Sequence, residues 1–272
     1  MKLTKMQGIG NDYLYFFSEV PENVAELAVR LSDRHFGVGS DGLIYISPSK
    51  TADFRMRIFN ADGSEAKMCG NGIRCVGKYV YEKGYTEKTE LTVETLSGIK
   101  HLKLHLEDGI VTAVSVNMGT AEVSDSCSVE IDGRSYTLTP VSTGNPHAVM
   151  FVEEEGLTLP ETIGRKIEHH ALFPGGVNAE FIRVKDANRL RMRVWERGSG
   201  VTMACGTGAC ASTAAAVHAG YCRAGQPVTV ELDGGTLEIT VQEDGTVWMK
   251  GPAEFVYEAE VTMTGGTTVC PQ

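Results

Sequence analysis

RMRIFNADGSEAKMCGNGIRCVGKYVYEKGY at residues 55–85 returns as RMRVWERGSGVTMACGTGACASTAAAVHAGY at residues 191–221, an offset of 136 with no gap. Arg55, Met56, Arg57, Cys69, Gly70, Gly72, Gly84 and Tyr85 each meet an identical residue, and Ile58/Val194 and Phe59/Trp195 a similar one. The match extends outward. LTVE at 91–94 answers VTVE at 228–231 after one inserted residue, and EDG at 107–109 answers EDG at 243–245 at the original offset. Upstream, Gly10-Asn11 precedes YLYFF as Gly144-Asn145 precedes PHAVMF. A solenoid would repeat every 20–50 residues. One long shift instead means a duplicated domain, with halves expected at 1–115 and 116–259.

Each half reads alike. An alternating apolar strand (Arg55–Phe59, Arg191–Trp195) leads through a polar loop and a Cys-Gly-x-Gly turn into a helix. Gly84 and Gly220 mark the helix ends, because glycine tolerates the left-handed backbone there. β-rich segments follow, with EDG between alternating runs as a hairpin signal. The expected class is α/β (α+β), mostly strand, with one helix per half starting at its Cys-Gly. From Gly198 to Cys222 there is no Lys, Arg, Asp or Glu, so the second helix should be wrapped by its sheet. The first carries Arg74, Lys78, Glu82 and Lys83 and should keep one wetter face.

The chain has 272 residues, 42% of them hydrophobic and 22% charged, which suits a globular protein able to bury a large core. Its 25 Lys+Arg against 35 Asp+Glu give a net charge of −10, and no basic stripe offers a nucleic-acid backbone partners. The uncharged stretch consists of Gly, Ala, Ser, Thr and Cys rather than the apolar residues of a membrane span. MKLTKMQGIGNDY lacks the apolar run of a secretion signal, and seven cysteines is an odd number. We therefore expect free thiols in a reducing, cytoplasmic setting.

Duplication has kept one cysteine at the same place in both halves, each at a helix start. Unpaired N–H groups there carry partial positive charge, which favours a thiolate and binds carboxylates. Two such ends facing one cleft suit inversion of an amino-acid α-carbon, with a base on one face and an acid on the other. Other chemistries fit poorly. The C-x5-C and C-x4-C spacings are not those of zinc pairs, no C-x-x-C is present, and GTGAC lacks the Lys and Ser/Thr of a P-loop. A calcium loop through NADGSEAK would begin at Ile58 and end at Cys69, neither suitable. Cys75, Cys127, Cys210, Cys222 and Cys270 read as small buried residues.

GNDY (10–13), NADGSEAKMCGNGIRC (60–75), GNPH (144–147) and WERGSGVTMACGTGAC (195–210) resemble the diaminopimelate epimerase family, and the likeness runs from Lys5-Met6 to GPAEFVY at 251–257. The resemblance implies two pseudo-symmetric domains, each a strand-built barrel around a central helix, the last residues (about 260–272) returning to the first. It implies a PLP-independent enzyme, needing no cofactor or metal, that interconverts LL- and meso-2,6-diaminopimelate for lysine and peptidoglycan synthesis. Cys69 and Cys205 correspond to the acid/base pair. Gly70-Asn71 and Gly206-Thr207 correspond to the helix starts that hold the reacting carboxylate. Asn11, Asn60, Asn145, Asn178, Glu196 and Arg197 correspond to substrate positions, Arg197 matching the distal carboxylate with its bidentate fork. His147 and Glu196 correspond to groups that tune the thiols, and Tyr257 to a homodimer contact. Gly42 stands where some members carry glutamine. A racemase of histidine or proline, or a non-catalytic amino-acid-binding protein of the same fold, are the alternatives.

Overall fold

A computed structural model describes residues 1–262. Its architecture is mixed α+β and dominated by strands, with four α-helices among the described residues: α1 (Val24–Ser32), α2 (Gly70–Glu82), α3 (Pro160–Glu168) and α4 (Gly206–His218).

Strand pairing repeats with the sequence. Strand Asn11–Phe17 runs parallel to Gly42–Pro48, with Leu14 beside Leu43; strand Pro146–Phe151 runs parallel to Asn178–Asp186, with Ala148 beside Ala179. Gly42–Pro48 then pairs antiparallel with Phe54–Asn60, and Asn178–Asp186 with Arg189–Glu196. Phe54 lies beside Val93 where Leu190 lies beside Val230. Even α1 and α3, which share no visible motif, are nine residues each and start 136 apart. Those two short helices were not expected from the sequence. Each lies on the sheet of its own half, α1 on strands 42–48 and 54–60, α3 on 178–186 and 189–196.

The long helices occupy the centres. α2 packs against strands 2–8, 11–17, 98–107 and 110–120, and α4 against strands 134–142, 146–151, 178–186 and 235–241. Ten residues of α4 are buried, because Ala, Gly, Ser and Thr let the sheet close on every side. The wetter face expected of α2 is confined to its end, at Glu82 and Lys83. Everything from Gly70 to Val80 is buried, Arg74 completely, and Lys78 reaches Glu82 and the Val111 carbonyl by a buried route. A long cationic side chain buries its methylenes and spends its donors on carbonyls, which composition alone does not reveal. Both helices end as anticipated, with Gly84 at φ +74° and Gly220 at φ +79°. In the hairpin 107–110, Asp108 and Gly109 are both left-handed, as a two-residue primed turn requires.

The halves are stitched together. Strand Ile110–Thr120 pairs antiparallel with its counterpart Thr246–Gly251, Val116 beside Met249. Strand Glu254–Glu260 then crosses to pair with Lys2–Gly8, and Val261 exchanges hydrogen bonds with Met1. Residues 263–272, with Cys270, lie outside the described residues. No described helix is long and apolar enough to cross a membrane.

Candidate active site

Cys69 and Cys205 are the N-caps of α2 and α4, in closely similar extended conformations (φ −137°, ψ 117° and φ −124°, ψ 108°). The Gly72 N–H donates to Cys69 Sγ at 3.3 Å, and the Gly208 N–H to Cys205 Sγ at 3.3 Å. Each sulfur therefore takes the place that a Ser or Asp oxygen occupies in an ordinary cap. The two helix starts approach each other over Met249. A Cβ on Gly70 would lie 2.8 Å from Met249 Cε, and one on Gly206 3.0 Å from Met249 Sδ. A side chain in place of either glycine would force Met249 to shift.

Both sulfurs open on a cleft of about 1770 Å³ between the halves. Asn11, Asn60, Gly70, Asn71, Asn145, Glu196, Arg197, Gly206 and Thr207 line it with them. Around Cys69, the thiol donates to Asn11 Oδ1 at 3.3 Å, while Asn11 Nδ2 donates to Asp41 at 2.7 Å. Asn60 Nδ2 donates to Ser64 Oγ at 3.0 Å. Around Cys205, Sγ lies 3.5 Å from Thr207 Oγ1, to which Asn145 Nδ2 donates at 3.4 Å.

Three residues singled out from the sequence do not line the cleft. Asn178 is buried behind it, accepting from the Arg197 N–H at 2.9 Å and donating to the Pro146 carbonyl at 3.3 Å. His147 is buried too, its Nε2 3.1 Å from Asn145 Oδ1. Tyr257 is on strand Glu254–Glu260, 39% exposed, with the Lys5 ammonium 5.9 Å from its ring centre. At Gly42 a Cβ would fall 2.2 Å from the Phe59 carbonyl oxygen, so this backbone leaves no room for a side chain there.

The thiol environment corrects the sequence reading. Burial pushes Cys69 upward despite the Gly72 and Asn71 N–H groups, Tyr13 and Arg74. Burial pushes Cys205 well up, and the carboxyls of Glu196 and Glu180 add to it against Thr207 and the Gly208 N–H. A helix start favours a thiolate, but desolvation by burial outweighs it at both sulfurs. Burial also raises Glu196, which accepts from Thr202.

Residues the sequence reading missed complete the site. Glu180 is fully buried, 2.6 Å from His147 Nδ1, and its Oε2 has no partner among the described residues. Its signal was a lone carboxylate inside the apolar strand 178–182. Glu168, at the end of α3, accepts from the Trp195 indole N–H at 2.7 Å and the Gly198 N–H at 2.9 Å, fixing the turn that carries Arg197. Arg34 pairs with both Asp12 and Asp41 at the cleft rim. Arg197 itself donates to the Gly175 carbonyl at 3.0 Å and forms no ion pair among the described residues. Nor does any group of three or more His, Cys, Asp or Glu there present a metal-ligand set.

The family model for diaminopimelate epimerase matches residues 3–124 and 139–256. The chain belongs to the diaminopimelate epimerase family. It is 51% identical to the diaminopimelate epimerase of Acetivibrio thermocellus, covering 97% of this chain and 99% of that one. It is 50% identical to that of Phocaeicola vulgatus over the same shares. Among solved structures, it superposes on a hydroxyproline epimerase from Agrobacterium vitis with a TM-score of 0.71 at 18% identity, over 95% of this chain and 91% of that one. That likeness extends the epimerase fold well beyond recognisable sequence.

Proposed function

We propose that the chain interconverts LL- and meso-2,6-diaminopimelate by proton transfer between two cysteines, without cofactor or metal. The observation that carries this reading is the pair of like-capped thiols, Cys69 and Cys205, at two helix starts converging on one cleft. The free N–H groups of Gly70-Asn71 and Gly206-Thr207 receive the α-carboxylate and hold it as negative charge builds on it. One sulfur, as thiolate, takes Hα; the opposite S–H gives its proton to the other face of the same carbon. Burial pushes both thiols up, and a thiolate formed there is a correspondingly strong base.

The far end of the substrate decides which amino acid is accepted. Asn11, Asn60, Asn145 and Glu196 provide its polar contacts, Asn178 holds the Arg197 backbone from behind, and Arg197, unpaired at the cleft edge, takes the distal carboxylate. Histidine and proline lack that carboxylate, which disfavours the racemase alternatives. We further propose division of the chain at 115/116, a cytoplasmic homodimer with Tyr257 at the contact, and a place in lysine and peptidoglycan precursor synthesis.

The test is racemisation and Hα exchange in D2O for LL-diaminopimelate, histidine and proline, with PLP removed and EDTA present. Rapid deuterium incorporation at one α-carbon of diaminopimelate supports the reading. No exchange on any of the three makes the chain a binding protein, and preference for proline or histidine displaces Arg197 from its role.

A further inference from the structure

Two asparagines occupy matched places beside the cysteines, but the fold grips them by opposite ends. The strand register sets Asn11 against Asn145, Tyr13 against His147 and Ile44 against Glu180. Asn11 is held by its nitrogen, which donates to Asp41 at 2.7 Å and leaves Oδ1 toward Cys69. In the second half Val177 stands where Asp41 would be, 136 residues on. The carboxyl group there is Glu180, set deeper, and it reaches Asn145 through His147. Glu180 Oε1 lies 2.6 Å from His147 Nδ1, and His147 Nε2 lies 3.1 Å from Asn145 Oδ1.

Heavy atoms alone admit two directions for this chain, because an amide and an imidazole can each be turned. In one, His147 Nδ1–H donates to a Glu180 carboxylate, and a bare Nε2 accepts from the Asn145 amide. In the other, Nε2–H donates to Asn145 Oδ1, and a further proton lies between Nδ1 and Oε1. Charge decides between them. The first direction leaves a net negative charge on a couple in which Glu180 has 0% exposure and His147 1%. A carboxylate is kept in such a place by several donors, but Glu180 Oε2 has none, and neither residue pairs with Lys or Arg among the described residues. Glu196 and Cys205, the other titratable groups facing the couple, bring no positive charge. The second direction is neutral, and burial raises the Glu180 carboxyl accordingly, against the pull of His147. Asn145 Oδ1 is then filled by His147 and by the Thr143 hydroxyl at 3.2 Å, and its nitrogen donates to Thr207 Oγ1 at 3.4 Å. The second N–H of that nitrogen meets no acceptor among the described residues, and Asn145 lines the cleft.

We propose that Glu180 is a positioning residue: through His147 it turns the Asn145 amide so that an N–H, and not the carbonyl, faces the cleft. The matched asparagines then present opposite poles, Asn11 its oxygen and Asn145 its nitrogen. An amino acid also has two poles, and an N–H in the cleft accepts a carboxylate while opposing an ammonium group. That preference deepens the proposed function and rests on it, whereas the direction of the hydrogen-bond chain stands on burial and charge alone.

The test is long-range proton–nitrogen NMR of the full-length protein carrying isotope-labelled histidine, with the His147 ring identified by its loss in His147→Gln or His147→Asn. Nε2 should carry a full proton at every pH from about 6 to about 9, without exchange between tautomers. Glu180→Ile, which installs the residue type found at the matched position 44, removes the lock. Nε2 protonation should then be incomplete, and KM for LL-diaminopimelate should rise about tenfold or more with kcat changed less. A wild-type His147 with its proton on Nδ1 and a bare Nε2 overturns the inference, and that measurement needs no Glu180 variant to fold. So does a Glu180→Ile protein that keeps the wild-type ring spectrum and KM. The ring spectrum requires no turnover, so a protein with Nε2 protonated and no activity on diaminopimelate refutes the proposed function alone.

Discussion

Replacing Glu168 should loosen the end of the cleft that carries Arg197. Its carboxylate accepts from the Trp195 indole N–H at 2.7 Å and the Gly198 N–H at 2.9 Å, while Trp195 lies so close to α3 that a Cβ on Gly164 would fall 2.5 Å from it. A hydrogen bond to a charged acceptor contributes about 1.5–3 kcal/mol. Glu168→Gln keeps one acceptor but turns an N–H against an N–H, so the expected loss is about 2 kcal/mol. In a domain this size that is a fall in Tm of roughly 4–8 °C. Glu168→Ala loses both bonds and should fall further. The pH dependence follows from the same contacts. Burial alone would raise the Glu168 carboxyl, but the two donors overcome it and hold the group below the ordinary glutamate range. A carboxyl lowered in the folded state stabilises fully above its unfolded value and loses that contribution as pH falls through the folded one. Urea unfolding of wild type and Glu168→Gln should therefore differ by a constant amount from pH 7 to about 5 and converge below about pH 4. In kinetics, KM for diaminopimelate should rise more than kcat falls, since the turn carries Arg197, whose proposed partner is the distal carboxylate and not the reacting carbon. An unchanged Tm with an unchanged KM, or a stability gap undiminished at pH 3, would refute this account of how Arg197 is held.

Cys69→Ala and Cys205→Ala should each remove inversion by at least about 10²–10⁴-fold, while far-UV circular dichroism and Tm stay near wild type. Turnover close to normal in either would end the two-thiol mechanism. Arg197→Met should lower kcat/KM for LL-diaminopimelate about a hundredfold or more, and Arg197→Lys should recover little, because a point charge lacks the bidentate fork. Steady-state kinetics of the pair, with Hα exchange as the readout for intact thiols, checks it. Gly42→Ala should destabilise by about 3 kcal/mol or more, since its Cβ would stand 2.2 Å from the Phe59 carbonyl oxygen and part strands 42–48 and 54–60. Wild-type urea unfolding of that variant would show that the two strands can separate freely.

The repeat was legible because symmetry between two stretches of one chain needs no structure to be seen. It located both cysteines, both following glycines and both helix ends, and with them the line where the cleft runs. α1 and α3 escaped notice because they are short and conserve position, not residues, between the halves. Glu180 escaped because its importance lies in what strand pairing brings next to it, His147 from one neighbouring strand and Gly208 from α4. The burial of Arg74 and the upward push on the thiols were hidden for a related reason. Desolvation depends on how completely a sheet closes round a helix, and local sequence carries no record of that.

The crossing of strand Glu254–Glu260 onto Lys2–Gly8 sets a timetable for the molecule's birth. Lys2–Gly8 is made long before Glu254–Glu260, finds Asn11–Phe17 on one side at once, and then waits for a partner about 250 residues downstream, roughly 10–50 s at ordinary elongation rates. Through that interval its outer edge presents open N–H and C=O groups, the template on which strands of other chains add. Lys2 and Lys5 sit on that edge, and in the finished fold Lys5 is tied to Asp12 at 2.8 Å. Positive charge on a waiting edge discourages a second nascent chain with the same edge from pairing there. Strand Glu254–Glu260 thus acts as a latch: the first half, although made earlier, is completed only when that strand has followed.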